Sequence, residues 1–234
     1  TGNPACICNV VRIAISYKGT WGGIFTMLHE GGHGRYNYSS SQRAIDCGLW
    51  GGLRGSMHEG QARFYENIIG KSPEFWQIAY PVVLRHFPQL KQVPLEKFYM
   101  ALMKVTPSVH RITADELTYS LHPILRFEME KDWFDGKTKT KDFQEIWNAK
   151  YQEAFGLMPK DAREGVLQDI HWASGHVGYF QSYTLGNLYG GMLLEAMEQD
   201  IPQWEQQMAK GEFSAINGCL HEHVHQYGMA IPPQ

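Results

Sequence analysis

Length, composition and charge narrow the classes of protein that this chain can represent. The chain has 234 residues, of which 43% are hydrophobic, so it can bury one substantial core or two small ones. Its formal net charge of −3 gives no electrostatic reason to expect nucleic acid or an anionic membrane as partner. No segment approaches the ~20 consecutive apolar residues of a membrane span, and no signal-peptide pattern is seen.

The cysteine content bears on the cellular compartment. Four cysteines are few for this length, and they are Cys6, Cys8, Cys47 and Cys219. The C-x-C pair at Cys6 and Cys8 is a weak signal for a metal or redox site. We favour the alternative, reduced thiols in a cytoplasmic protein.

The first predicted elements are a short extended segment and a helix. The β-branched residues Val10, Val11, Ile13 and Ile15 predict an extended segment, and residues 17–20 resemble a turn. From about Trp21 the apolar spacing becomes helical, and residues 37–42 resemble a loop.

Helical patterns continue along the rest of the chain. Ser56 and Glu59 resemble a capping box that opens a helix ending near Gly70, and Ser72 precedes a proline in the first turn of the next. Further helices are predicted over residues 95–105, 114–131 with a kink at Pro123, 143–155 and 188–197. We expect a mainly α-helical fold with a small β element near the N-terminus, forming one catalytic region over residues 1–234.

The strongest chemical signal is the pattern H-E-x-x-H at residues 29–33. On a helix, His29 and His33 lie on one face, so both imidazoles can reach one Zn²⁺ ion. Glu30 then lies beside the open coordination position, where it can act as general base towards a metal-bound water. Gly31 and Gly32 are poor helix formers, and a close approach of metal, substrate or another helix would explain them.

A catalytic zinc ion usually needs a third protein ligand. Position 39, where one HExxH class has a third histidine, is serine, and the acidic candidates downstream of His33 are Asp46, Glu59 and Glu66. A glutamate on a following helix is the other standard solution, which favours Glu59. The capping box offers an equally good explanation of Glu59 by itself.

A second H-E-x-x-H pattern occurs at residues 221–225. Residues 226–234 contain no carboxylate, cysteine or histidine, so a third ligand would have to come from upstream. His223 lies on the wrong helical face to join His221 and His225. We interpret this segment as the polar end of a helix.

Four ordered motifs resemble the thermostable carboxypeptidase family of HExxH metallocarboxypeptidases (peptidase family M thirty-two). They are the H-E-x-x-H pattern, H-E-G-Q at residues 58–61, R-I-T-A-D at 111–115 and G-V-L-Q-D-I-H-W at 165–172. The resemblance continues through Gly178-Tyr179-Phe180 and residues 183–187. It implies a helical, gluzincin-like metallopeptidase that removes one residue from peptides with a free C-terminal carboxylate. It also implies a homodimer.

The resemblance assigns roles to individual residues. His29, His33 and Glu59 would bind the metal, which is Zn²⁺ with Co²⁺ or Mn²⁺ as alternatives. Arg111 would bind the terminal carboxylate, a role for which arginine is well suited. His171 and Tyr183 would be catalytic hydrogen-bond donors, with Tyr179 and Gln61 in substrate binding. Alone, Arg111 is equally explained by an ion pair with Asp115, and the histidine and tyrosines by packing.

Some features depart from the family pattern. The family has a D-x-R-x-T motif upstream of H-E-x-x-H, and here the nearest segment keeps only Arg12. Its members also extend further at both ends, so we expect the catalytic part of a longer chain. Two alternatives to a carboxypeptidase remain. One is an HExxH endopeptidase, and the other is a catalytically silent domain that binds zinc or peptide.

Overall fold

The chain folds mainly into helices, with a small antiparallel hairpin near its start. A computed structural model describes residues 5–7, 10–15, 23–53 and 55–232. Strands β1 (Ala5–Ile7) and β2 (Val10–Arg12) pair so that Ala5 lies opposite Arg12 and Ile7 opposite Val10. The predicted small β element is therefore confirmed. The predicted turn at residues 17–20 and the predicted helix start at Trp21 lie outside the described residues.

Eleven α-helices follow among the described residues. They are α1 (Gly23–Tyr38), α2 (Gln42–Asp46), α3 (Ser56–Arg63), α4 (Pro73–His86), α5 (Leu95–Leu102), α6 (Glu116–Tyr119), α7 (Leu121–Phe134), α8 (Phe143–Phe155), α9 (Gln181–Asp200), α10 (Trp204–Ala209) and α11 (Ser214–His223). A π-helical segment, Phe64–Ile69, continues α3 directly. No helix in the described part of the chain is long and apolar enough to cross a bilayer.

The chain divides into two compact units, each with its own core. The first unit comprises residues 1–102 and 185–234, and the second comprises residues 103–184. The first unit has two buried clusters. One includes Phe64, Met197, Met208 and Ile216, and the other is built from Trp76, Tyr80, Val83 and Phe98.

The second unit packs α7 against α8. Leu125 and Met129 of α7 and Trp147 and Tyr151 of α8 are buried in its core. Trp147 stacks on Tyr151 with an interplanar angle of 14°. Burying such large aromatic side chains contributes much of the hydrophobic stabilisation of a unit this small.

Several predicted helix boundaries are wrong. α1 includes residues 37 and 38 of the predicted loop, α5 ends at Leu102, and α9 begins seven residues before the predicted start. The predicted helix over residues 114–131 is two helices, because Asp115 caps α6 through a hydrogen bond from the Thr118 N–H and the break falls at Ser120. Pro123 lies in the first turn of α7, where a missing N–H costs no helical hydrogen bond.

The predicted capping box at the start of α3 is also wrong. The helix begins at Ser56, so Gly55 with φ of 78° precedes it and supplies no side-chain cap. The helix nevertheless starts and ends where the sequence predicts, with the π-helical segment reaching Ile69 and Gly70 following it. The side chain of Glu59 is therefore left for another role.

Candidate metal centre

The first unit brings the two HExxH histidines together with one buried carboxylate. His29 and His33 lie one turn apart on α1, and Glu59 lies on α3. The Nε2 atom of His29 is 3.5 Å from Oε1 of Glu59, and Nε2 of His33 is 3.7 Å from Oε2. The Glu59 side chain is only 3% exposed. One ligand atom from each residue lies within 4.8 Å of the others.

This set of donors fits a divalent ion. Two imidazole nitrogens and one carboxylate oxygen form a common set of three protein ligands for catalytic zinc, with a fourth position left for water. A carboxylate that is almost fully buried is costly unless a cation or hydrogen-bond donors face it, and a cation held between Glu59 and the two imidazole nitrogens would meet that need. Both oxygens of Glu59 therefore point towards the position that an ion would occupy.

Glycines allow the helices around Glu59 to approach closely. A Cβ atom on Gly32 would lie 2.7 Å from the Gln61 carbonyl oxygen and 2.8 Å from the Ala62 Cα atom. A Cβ atom on Gly186 of α9 would lie 2.9 Å from the Gly60 nitrogen. The expected reason for a glycine in this helix therefore holds for Gly32. Among the described residues, nothing beyond the helix itself lies within 4 Å of a Cβ atom placed on Gly31.

His29 is oriented by a chain of charged and polar groups. Its Nδ1 atom lies 2.9 Å from Oε2 of Glu66, which also accepts a hydrogen bond of 2.9 Å from Arg63. The Arg63 Nε–H in turn donates to Asn187 Oδ1 at 2.8 Å. If Nδ1 carries the proton that Glu66 accepts, the lone pair of Nε2 points towards Glu59.

His33 is oriented in the same way by a second histidine. Its Nδ1 atom lies 2.5 Å from Nδ1 of His58, whose Nε2 lies 3.1 Å from Asn37 Oδ1. Because an amide oxygen only accepts, Nε2 of His58 is the donor and its Nδ1 accepts from His33. Nε2 of His33 is then unprotonated and available to a metal. The hydrogen-bond partners of both HExxH histidines therefore favour the tautomer that metal binding would require.

The pKa values of the two ligand histidines differ. Burial, together with the neighbouring His29, lowers the pKa of His33 to about 2, so this imidazole is neutral across the physiological range. Burial also acts to lower the pKa of His29, but the hydrogen bond to Glu66 and the charge of Glu59 outweigh it and raise this pKa. Arg63 similarly outweighs burial at Glu66 and holds its pKa at about 2.

Glu30 follows His29 on α1 and is partly exposed to solvent. Gln61 lies on α3 and is fully buried, with its Oε1 atom 2.8 Å from Nε2 of His225. Gln61 therefore contacts another core side chain in this structure, whereas the sequence predicts a substrate contact. His225 also packs against the ring of Tyr36, with centroids 5.3 Å apart.

The second HExxH pattern has one histidine at the surface and the other in the core. α11 ends at His223, and His225 lies in a following 3₁₀ turn with its ring fully buried. His221 is exposed on α11. The interpretation of this segment as the polar end of a helix holds for residues 221–223, whereas His225 belongs to the core.

We expect the buried His225 to make folding sensitive to acid. Burial lowers its pKa to about 3, so between pH 6.5 and 3 the unfolded chain binds a proton that the folded chain does not. The contribution of His225 to stability should therefore be complete above pH 6.5 and fall by about 1.4 kcal/mol per pH unit below it. His225→Gln, measured by urea unfolding with chelator present from pH 6.5 to 5, should remove that share of the slope. The exposed His221→Gln should leave the slope unchanged, and equal slopes in all three proteins would contradict the assignment.

In the second unit, Arg111 and Arg126 share one carboxylate. Arg111 donates from Nε and Nη2 to Oδ1 of Asp169 at 3.0 and 2.8 Å, and Arg126 donates from Nε to Oδ2 at 2.7 Å. Nη1 of Arg111 donates to the Tyr119 hydroxyl at 3.0 Å. Burial acts to raise the pKa of Asp169, but the charges of Arg126 and Arg111 outweigh it and lower this pKa. The alternative pairing of Arg111 with Asp115 is not the one formed.

His171 and the predicted tyrosines lie in this same cluster. Nε2 of His171 is 3.1 Å from the Tyr183 hydroxyl, and the Arg111 guanidinium lies 4.5 Å from the centre of the Tyr183 ring. Tyr179 packs against His171 with ring centroids 5.6 Å apart. Burial and the charge of Arg111 lower the pKa of His171 to about 4, so the imidazole is neutral near pH 7. The structure therefore joins Arg111, His171, Tyr179 and Tyr183 in one cluster.

Comparison with known proteins decides the family. A family model described as carboxypeptidase Taq (M32) metallopeptidase matches residues 6–234. The chain belongs to this M32 family. It is 38% identical over 226 residues to thermostable carboxypeptidase 1 of Pyrococcus furiosus, covering 96% of this chain and 45% of that protein. It is likewise 38% identical over 211 residues to carboxypeptidase 1 of Bacillus subtilis, covering 90% of this chain and 42% of that protein.

Solved M32 structures share the fold. Metallocarboxypeptidase 1 of Trypanosoma cruzi superposes with a TM-score of 0.88 at 29% identity, over 94% of this chain and 47% of that one. The carboxypeptidase of Pyrococcus furiosus superposes with a TM-score of 0.86 at 38% identity, over 90% and 42%. The mainly helical metallopeptidase fold is therefore confirmed. This M32 chain spans slightly less than half the length of the curated relatives it matches.

Sequence reasoning missed several residues of the M32 metal centre. His58, Arg63 and Asn187 were not singled out as orienting groups, and Glu66 was considered only as a ligand. A signal for Glu66 existed, because it follows Glu59 by two helical turns and so lies on the same face. Spacing gives no comparable signal for Asn187, which reaches Arg63 across 124 residues of sequence, although it lies in the segment 183–187 that resembles the family.

Glu66→Gln should weaken metal binding while leaving the three ligands in place. The negative charge of Glu66 orients His29 and makes its Nε2 atom a stronger metal ligand, and the substitution removes this charge. Loss of such a partner typically costs about 10–100-fold in metal affinity. Competition with a chromophoric chelator measures the change in Kd. The exposed Glu205→Gln is the matched control, and an unchanged Kd in Glu66→Gln would contradict the assigned role.

Proposed function

We propose that this M32 chain carries, over residues 1–234, the metal-dependent catalytic region of a carboxypeptidase. The observation that carries the proposal is the buried Glu59 carboxylate facing Nε2 of both HExxH histidines, in a chain whose family consists of metallopeptidases. The named relatives that it matches are carboxypeptidases. Peptides with a free C-terminal carboxylate are the substrates that we infer.

His29, His33 and Glu59 would hold the ion, and the chemistry it supplies when bound is a polarised carbonyl and a water with a pKa near 7. Glu30 takes a proton from the attacking water and returns it to the leaving amine. Its place next to His29 on α1 supports this role, because it lies on the helix that carries both histidine ligands. Neutral His33, oriented by His58, enters the ligand set without first losing a proton.

We assign the substrate's terminal carboxylate to Arg111, and the catalytic hydrogen bonds to His171 and Tyr183 with Tyr179 beside them. A guanidinium has five N–H groups, and Asp169 and Tyr119 accept three of them here. The Tyr183 hydroxyl and neutral His171 can donate to an oxyanion. The resemblance assigns Gln61 to substrate binding, whereas the full burial of its side chain against His225 supports a structural role in the core.

The identity of the ion, the oligomeric state and the cellular location are also proposals. The first two rest on the family resemblance and on the chemistry of the donor set. We propose Zn²⁺ as the native ion, with Co²⁺ or Mn²⁺ as substitutes that the same ligands accept. We also propose a homodimer and a cytoplasmic location, the latter from the few cysteines. Neither nucleic acid nor a membrane is among the proposed partners.

The test compares two peptides that differ only at the C-terminus. An N-blocked dipeptide with a free carboxylate should release its last residue, and the release should stop when a chelator is added. The amidated form of the same dipeptide should not be hydrolysed, because it lacks the charge assigned to Arg111. Equal hydrolysis of an internal bond in a blocked and amidated longer peptide would favour the endopeptidase alternative. No hydrolysis by a chain that still binds one ion would favour the silent domain.

A further inference from the structure

A second group of metal-binding side chains lies outside the centre described above. Asp200 ends α9, and Cys219 and His223 lie four residues apart on one face of α11. One ligand atom from each lies within 4.8 Å of the others. Among the described residues, only this group and the HExxH group bring three such ligands together. All three residues belong to the first unit, and none of them takes part in the proposed hydrolysis.

The distances suit a tetrahedral ion. Nε2 of His223 lies 2.8 Å and Sγ of Cys219 lies 3.8 Å from Oδ2 of Asp200. Around zinc, with bonds of about 2.3 Å to sulfur and about 2.0–2.2 Å to nitrogen or oxygen, neighbouring ligand atoms are roughly 3.4–3.6 Å apart. Shifts of less than about an ångström in side chains at the surface would complete three coordination bonds. Solvent would supply the fourth ligand, since the side chains of Asp200 and His223 are about half exposed, at 48% and 52%.

The electrostatics of this corner favour a cation. α9 and α11 both end here, so the partial negative charge of two helix C-termini adds to the Asp200 carboxylate. Burial, then the charge of Asp200, and also that of Glu222, raise the pKa of the Cys219 thiol. A divalent ion would neutralise these charges and replace the thiol proton.

We propose that Asp200, Cys219 and His223 form a second divalent-cation site of the zinc class, which ties the end of α9 to α11. The presence of sulfur selects thiophilic ions over Mg²⁺ or Ca²⁺. The site uses His223 of the second HExxH segment, the histidine that the sequence excludes from a pair with His221 and His225. The role of this site would be to hold α9 in place. The same helix carries Gly186, which packs against the Gly60 backbone beside Glu59.

Cobalt distinguishes this site from the HExxH centre by its spectrum. Thiolate ligands give Co²⁺ an intense near-ultraviolet charge-transfer band, and the HExxH centre has no sulfur ligand. We therefore expect the chelator-stripped chain, titrated with Co²⁺ under a non-thiol reductant, to develop that band. Cys219→Ser should abolish the band and lower the bound metal from about two ions to about one per chain. Asp200→Asn and His223→Gln should weaken Co²⁺ binding at this site by at least about tenfold in Kd.

The chain provides its own control. Cys47 is exposed and outside the group, so Cys47→Ser should keep the full band. A thermal scan should show Zn²⁺ raising the Tm of a His33→Gln chain, and this increase should disappear when Cys219→Ser is added. The proposal is overturned if no thiolate band appears, or if the band survives Cys219→Ser. Neither the cobalt band nor the change in Tm depends on hydrolysis. A negative result for this site therefore leaves the carboxypeptidase proposal unaffected, and absence of hydrolysis leaves the proposal of the second site unaffected.

Discussion

Glu30→Gln should reduce peptide hydrolysis by about 10²–10⁴-fold without loss of the bound ion. Glutamine keeps the shape of the side chain but cannot take a proton from water. The three proposed ligands, His29, His33 and Glu59, are unchanged, so the metal content after purification should equal that of the unaltered chain. Release of the C-terminal residue from the free-acid dipeptide, measured beside metal content, tests both statements.

A matched control separates this effect from a general change of charge. Glu96 lies on α5 and is exposed, so Glu96→Gln should leave both hydrolysis and metal content unchanged. Loss of activity together with loss of metal in Glu30→Gln would mean that Glu30 supports binding of the ion. Full activity in Glu30→Gln would remove it from the mechanism.

Gly32→Ala should destabilise the fold and disrupt the metal centre. The added methyl group would lie 2.7 and 2.8 Å from backbone atoms of α3, so α1 and α3 must separate. Overpacking of this kind typically costs about 1–3 kcal/mol. His29 and His33 lie on α1 and Glu59 on α3, so the same separation spreads the ligands apart. We expect a lower unfolding midpoint and weaker metal binding.

Gly31→Ala is the control for this prediction. It lies next to Gly32 on the same helix, and in the part of the chain that the structure describes no neighbouring element comes within 4 Å of its Cβ position. Since alanine is about 1 kcal/mol better than glycine inside a helix, Gly31→Ala should keep or raise stability. Chemical unfolding and a chelator competition assay on both variants give the comparison. Similar behaviour of the two variants would contradict the assigned contact between α1 and α3.

Much of the helical framework could be predicted from the sequence, because apolar periodicity and caps are local. Ser72 before Pro73 correctly predicts the start of α4, and its side chain accepts a hydrogen bond from the Phe75 N–H. The predicted helix over residues 114–131 fails for a local reason too. Asp115 caps a separate short helix, α6, and Leu117 on that helix is 75% exposed, so the apolar spacing does not continue through it.

The proposed ligand pair on α1 follows from the spacing of residues in a helix, but the proposed third ligand could not be derived from spacing alone. Glu59 fitted a capping box equally well until the structure showed α3 beginning at Ser56. The family resemblance selected Glu59, and the structure places it opposite both histidines. Contacts between distant parts of the chain were not predictable. Arg111 and Asp169, paired across 58 residues, and the burial of Gln61 against His225 are two examples.

The most direct test of the account is reconstitution of hydrolysis with metal. The chain is stripped with chelator, and Zn²⁺ is added back stepwise while release of the C-terminal residue from the free-acid dipeptide is followed. The Cys219→Ser background keeps the second proposed site from taking up the ion. The account predicts no hydrolysis without metal, a linear rise that ends at about one ion per chain, and no recovery in Glu59→Gln. Hydrolysis at full rate in the stripped chain, or in Glu59→Gln, would contradict it.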